Sequence, residues 1–300
     1  MNIVLKKIIQ QLLKGFYSLN DLENPEFAEA LAKVKKKHPQ TSAPPKLFTK
    51  SLEVEKCTVA DGVYYRANDK KNKSNKKVMF IHGGGLVEQA MPMHWIMCKD
   101  LAKDTGCEII FPEYPLVPES NSETAHRMIV DVYKEVLKTC KPEDLTLIGD
   151  SAGGTLALSL SMIARDEGMP LANEIILISP GFSIGAVTEE ESVRLNEIKK
   201  HDFIIGDFPI EKISELWGGE LNSEDIRADV TKGSVKGLPH ITLFSGTHDT
   251  MNIGARRFVD KMNKEGHRYI FKEKVDGIHD YVFEKSSKEE YKLIVSRICG

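Results

Sequence analysis

The 300 residues are 41% hydrophobic and 28% charged, with 41 Lys and Arg against 44 Asp and Glu for a net charge of −3. Such a chain can bury one large α/β domain with insertions or two modest domains, and its near-balanced charge argues against nucleic-acid or anionic-membrane partners. Five scattered cysteines, Cys57, Cys98, Cys107, Cys140 and Cys299, form no CxxC pair, which speaks against a zinc site or disulfide scaffold and for a reducing, cytoplasmic setting.

At the start of the chain, Val4, Leu5, Ile8, Ile9, Leu12, Leu13 and Phe16 recur at helical spacing, with Lys6, Lys7, Gln10 and Gln11 on the other face. The polar residues interrupt any signal-peptide core, so the stretch predicts an amphipathic helix, packed on its domain or serving as a lid, in preference to a membrane contact. "HPQTSAPPK" (38–46) reads as a linker, because its prolines cannot continue a helix. Residues 1–48 are therefore expected to form an N-terminal helical cap segment with its linker, ahead of one domain over 49–300. The lysine runs "KVKKK" (33–37) and "KKNKSNKK" (70–77) lack interleaved aromatics and predict solvated surface, the second as a polar hairpin or connecting loop.

Beyond the linker, "CTVADGVYYRA" (57–67) suggests a hairpin. The β-prone runs "KVMFI", "EIIFPEY", "LTLIG", "EIILIS", "HITLFSG" and "RYIFKEKV" then alternate with helical patterns near 92–104, 122–139, 152–166, 251–265 and 282–298. Alternation with nearly continuous apolar strands predicts a mostly parallel sheet with helices on both faces. Residues 181 to about 236 are too long for a simple crossover and are expected to be a cap insertion. In such sheets ligands bind beyond the carboxyl ends of the strands, which makes the residues after each run the ones to inspect.

After "KVMFI" come His82, Gly83, Gly84 and Gly85, whose glycines suit close backbone approach to a phosphate, a nucleotide or an oxyanion. After "LTLIG" the chain reads "GDSAGG", so Gly149-x-Ser151-x-Gly153 lies between a strand and a helix. A serine on such a turn needs small neighbours two residues either side, and its hydroxyl then stands at a helix N-terminus. The run matches neither the dinucleotide fingerprint nor a P-loop. A base and an orienting acid should follow in the order Ser, Asp, His. Asp249 and His279 stand just beyond the last two predicted strands, in that order.

Other histidines fail on position. His240 and His267 precede their strands, His248 adjoins Asp249, and His38, His126 and His201 are expected to be solvated. Asp276 and Asp280 flank His279 in sequence but should project in other directions than the one an orienting acid needs. With a serine nucleophile in view, the loop at 83–85 is expected to supply oxyanion donors beside the Ala152 amide, with His82 bracing it.

"HGGG" at 82–85 and "GDSAGG" at 149–154, together with "EYPLVPE" (113–119), "GLPHITLFSGTHD" (237–249) and "GIHDY" (277–281), resemble the hormone-sensitive-lipase-like branch of the α/β-hydrolase fold, which includes bacterial carboxylesterases and arylacetamide deacetylases. The resemblance implies Ser151 as nucleophile, His279 as base, Asp249 as acid, amides of Gly84, Gly85 and Ala152 (and Gly83) at the oxyanion, and a cap from the N-terminal helices and the insertion. It implies hydrolysis of short to medium acyl esters, a small-molecule substrate with no metal or cofactor. An amidase or deacetylase shares the machinery, a non-catalytic binding protein is a further alternative, and a homodimer is compatible. The chain departs from the pattern at Pro115, Thr250, Met251 and Asp280. Met91, Met93, Trp95 and Trp217 are candidate pocket walls, although such residues are more often core.

Overall fold

The computed structural model describes residues 14–23, 25–37, 43–60 and 62–300. Eight strands form one sheet in the order β1-β2-β4-β3-β5-β6-β7-β8. Strands β1 (Leu52–Val59) and β2 (Gly62–Asp69) pair antiparallel with each other, and β2 pairs antiparallel with β4 (Glu108–Glu113). The others run parallel: β3 (Lys77–Ile81), β5 (Leu145–Asp150), β6 (Glu174–Ile178), β7 (His240–His248) and β8 (Tyr269–Ile278).

The apolar runs carry no polar alternation because both sheet faces are covered. Met79, Ile81, Leu145, Leu147, Ile175 and Leu177 point to one side, and Val78, Phe80, Ile148, Ile176, Ile178 and Phe244 to the other. Helices α4 (Ser122–Leu137), α5 (Ser151–Asp166) and α8 (Asn252–Glu265) pack on the first side, with α3 (Pro92–Thr105) and α9 (Lys288–Cys299) on the second. A fully buried side chain such as Phe80 contributes about 1.5–3 kcal/mol to this core.

Most of the amphipathic stretch at 4–16 lies outside the described residues, as does the linker at 38–42. Lys14–Tyr17 is helical, and Phe16 is buried against Phe208 at a ring separation of 5.5 Å. Helix α1 (Glu26–Lys37) buries Phe27 and Leu31, one turn apart. The linker ends earlier than expected, because Lys46 already begins helix α2 (Lys46–Ser51), whose Phe48 packs edge-on against Trp95 at 4.9 Å. Of the two forms expected for the lysine-rich segment at 70–77, the hairpin is excluded, since β4 lies between β2 and β3. Its lysines disperse into separate pairs, Lys73 with Glu53, Lys76 with Asp144 and Lys77 with Glu108.

The insertion carries helices α6 (Glu189–Lys199) and α7 (Ile210–Gly218). Thr188 starts α6 by accepting from the Glu191 amide while the Glu191 carboxylate accepts from the Thr188 amide. Arg257 on α8 anchors it through Glu191 at 2.7 Å and the Ala186 carbonyl at 2.9 Å. The N-terminal segment grips its other end: Tyr17 donates to the Phe203 carbonyl at 2.8 Å, and Asn20 to that of Asp207 at 2.7 Å.

Candidate active site

Strand β5 runs into α5 with no loop between them, and Ser151 at the junction takes φ 48, the left-handed region that side chains normally avoid. The neighbouring glycines are obligatory on packing grounds. A Cβ on Gly153 would stand 2.0 Å from the Ile81 carbonyl oxygen, and one on Gly149 would stand 2.2 Å from that of Gly153. The Ser151 turn and β3 therefore touch backbone to backbone.

Strands β7 and β8 extend past their predicted ends to His248 and Ile278, so Asp249 and His279 each follow a strand by one residue. His279 Nδ1 lies 2.9 Å from Asp249 Oδ1, and its Nε2 lies 2.9 Å from Ser151 Oγ. All three residues are buried, at 3%, 0% and 7% exposure for His279, Asp249 and Ser151. A carboxylate can only accept, so in the neutral ring Nδ1 carries the hydrogen and Nε2 is left to accept from the hydroxyl. Asp249 Oδ1 also accepts from the Met251 amide at 2.9 Å, which holds the turn after β7.

The other candidate acids sit elsewhere. Asp276 is exposed, and its carboxylate faces His248 at 3.4 Å. Asp280 stands by the opposite ring nitrogen, with Oδ2 3.4 Å from His279 Nε2.

The 82–85 loop lies across the turn, where a Cβ on Gly83 would meet the Ser151 Cβ at 2.9 Å. Among the described residues none accepts a hydrogen bond from the Gly83, Gly84, Gly85 or Ala152 amide. Gly85 adopts φ 58, and a Cβ there would meet the Phe208 ring at 2.7 Å, so insertion and loop are in direct contact. His82 is fully buried, and burial pushes it down to about 4, which keeps the ring neutral. Its ring stacks on Tyr114, Nδ1 donates to the Gly83 carbonyl at 2.6 Å, and Tyr114 Oη donates to the His82 carbonyl at 2.7 Å.

A cavity of about 890 Å³ opens between the sheet domain and the insertion. Its wall includes neither Ser151 nor His279, but begins at their neighbours Gly181, Thr155 and Thr250; the Gly181 amide donates to the Ser151 carbonyl at 2.9 Å. Trp217, a candidate pocket wall, lines it and is also buried in the core. Two other candidates do not: Trp95 is core, stacked 4.1 Å from Phe111 on the far side of the sheet, and Met91 is exposed at the start of α3, away from the cavity. Met93 is also absent from the wall.

The expectation of a solvated His126 is overturned. It is 3% exposed, with Nδ1 2.8 Å from the Ser122 carbonyl and Nε2 2.7 Å from Ser159 Oγ, and burial pushes it down to about 4. The insertion covers it, since Ser122 Oγ donates to the Arg227 carbonyl at 2.6 Å. Sequence reasoning also missed two buried links. His94 Nε2 lies 3.0 Å from Oδ2 of Asp150, the residue before Ser151, and Asp202 in the insertion accepts from the Thr250 amide at 2.7 Å. A charge-rich insertion offers no signal that one of its aspartates is buried.

Comparison with known proteins agrees with this architecture. A family model described as alpha/beta hydrolase fold matches residues 78–283. An esterase of Acinetobacter venetianus is 28% identical over 197 residues, covering 65% of this chain and 64% of that protein. The hormone-sensitive lipase of Bos taurus is 32% identical over 113 residues, 36% of this chain and 15% of that one. The chain thus spans less than two thirds of the length of these curated relatives. The crystal structure of EstE5 soaked with p-nitrophenyl butyrate superimposes with a TM-score of 0.79 at 21% identity, covering 99% of this chain and 97% of that one.

Proposed function

Since the chain belongs to the alpha/beta hydrolase fold family, we propose that it is a serine carboxylic-ester hydrolase acting on short to medium acyl esters through an acyl-enzyme on Ser151. The observation that carries this reading is the hydrogen-bonded line from Ser151 through His279 to Asp249, 2.9 Å at each step. His279 takes the Ser151 proton as Oγ attacks the ester carbonyl, and Asp249 stabilises the imidazolium that forms. The amides of Gly84, Gly85 and Ala152, with Gly83, are the donors available to the oxyanion. The alcohol leaves with the proton from His279, and water repeats the attack on the acyl-enzyme.

Residues 14–37 and the insertion at about 181–236 act together as a cap over the reacting centre. The cavity beneath it, with Leu86, Leu156, Phe182, Phe208, Trp217 and Met251 in its wall, takes the apolar part of the ester. The esterase relative and the butyrate ester soaked into EstE5 support the choice of short to medium chains. The five free thiols support a reducing compartment. Among the described residues no helix is long and apolar enough to cross a membrane.

The test is intact-mass analysis after a fluorophosphonate probe, followed by a p-nitrophenyl acyl series. One adduct, lost in Ser151→Ala and His279→Ala, with acetyl to hexanoyl esters cleaved faster than palmitoyl, is the expected outcome. A folded wild type that takes no adduct and cleaves no ester rejects the assignment.

A further inference from the structure

Asp280 directly follows His279, and its backbone is held at φ 58, where a side chain persists only if its surroundings impose it. Its side chain is 10% exposed and brings Oδ2 to 3.4 Å from His279 Nε2, the nitrogen that also faces Ser151 Oγ at 2.9 Å. Among the described residues its Oδ1 has no hydrogen-bond partner. Apart from His279, the charged groups bearing on it are the carboxylates of Asp150, Asp249 and Asp202. An ionised Asp280 beside a neutral ring would therefore set a carboxylate against the Nε2 lone pair, inside a low-dielectric pocket already rich in acids. One proton relieves the clash, carried by the ring as imidazolium or by Asp280 as carboxylic acid.

We propose that Asp280 is a positioning residue that acts through His279, holding the imidazole from its serine-facing side and setting the pH at which Nε2 becomes free to take the Ser151 proton. Charge gives the direction. Burial pushes the His279 imidazolium down, but Asp249, Asp280 and Asp202 more than offset it and raise the ring above the ordinary imidazole range. Burial also raises the Asp280 carboxyl, and Asp150, Asp249 and Asp202 raise it further against the pull of His279. The pair thus retains a shared proton to higher pH than a lone histidine, and the free base accumulates on the alkaline side. Removing the Asp280 charge frees the base at lower pH.

The kinetic consequence rests on the ester-hydrolase reading, whereas the titration does not, and the experiment uses both. Asp280→Asn and Asp280→Gly are compared with wild type by 15N NMR titration of the His279 ring and by kcat/KM for p-nitrophenyl butyrate, from about pH 5.5 to about pH 10. The expected result is a His279 midpoint lower by about one pH unit or more in both variants, with the acid limb of kcat/KM moving alongside, about tenfold in rate per unit on that limb. A midpoint that stays in place or rises in both variants overturns the proposal. So does lower kcat with an unmoved acid limb and midpoint, which is what a merely structural Asp280 would give. If wild type hydrolyses no ester, the hydrolase reading fails and the NMR midpoint alone decides the role of Asp280. The glycine variant tolerates φ 58, so it supplies the answer if the asparagine variant does not fold.

Discussion

Replacing Asp202 by alanine removes the acceptor from three backbone amides at once. Its Oδ1 accepts from Ile204 and Ile205 at 3.0 and 2.9 Å, its Oδ2 from Thr250 at 2.7 Å, and the residue is 3% exposed. Ile204 and Ile205 belong to the insertion, while Thr250 follows Asp249, so one carboxylate fastens the proposed cap to the acid turn. Hydrogen bonds to a charged group contribute about 1.5–3 kcal/mol each, which sums to about 4.5–9 kcal/mol if the three were independent. They share one side chain, and water entering the vacated space would satisfy part of the loss, so about 4 kcal/mol is the expected destabilisation. Asp202→Asn keeps the Oδ1 bonds but can turn a donor toward the Thr250 amide, and should lose about half as much. Urea unfolding of both variants gives the stability change. The kcat/KM toward p-nitrophenyl butyrate reports the acid turn and is expected to fall about tenfold or more in the alanine variant, since small misplacements of catalytic groups are costly. An alanine variant within about 1 kcal/mol of wild type and with unchanged kcat/KM would refute the idea that this carboxylate joins cap to site.

Ser151→Ala should abolish ester turnover and probe labelling while leaving the unfolding midpoint near that of wild type. Gly153→Ala should fail to fold or lose several kcal/mol, because its Cβ would meet the Ile81 and His82 carbonyl oxygens at 2.0 and 2.5 Å; wild-type stability by calorimetry would contradict the packing argument. Arg257→Ala frees the 184–191 segment from its anchor and should change KM more than kcat in steady-state assays. Burial holds His82 and His126 at about 4 in the fold, below an unfolded value of about 6.5. Over that interval the unfolded chain binds protons that the native chain excludes, so stability falls as pH drops from about 6.5 to about 4, by up to about 1.4 kcal/mol per pH unit for each ring. His126→Gln should lower that slope in urea titrations, and an unchanged slope would show that its imidazole does not stay neutral.

Legible in the amino-acid sequence were the mostly parallel sheet, the places of Ser151, Asp249 and His279 just beyond strand ends, and the need for glycines around Ser151. Those features are local or periodic: short β-branched runs such as "LTLIG" and "EIILIS", alternating with helical patterns, fit strands buried on both faces, and a serine at a strand-to-helix turn demands small neighbours. What lies on the far side of each residue came only from the assembled fold. Trp95 and Trp217 are both aromatic residues on helices, yet one faces Phe48 and Phe111 across the sheet and the other lines the cavity, since the face an aromatic turns to depends on what packs there. His126 becomes a buried neutral histidine because the insertion closes over Ser122, a contact spanning 105 positions in sequence. Asp202 meets the Thr250 amide, and Asp280 the His279 ring, for the same reason. Burial and the proximity of distant charges are properties of the assembled fold, and these set the state of the ionisable groups around Ser151.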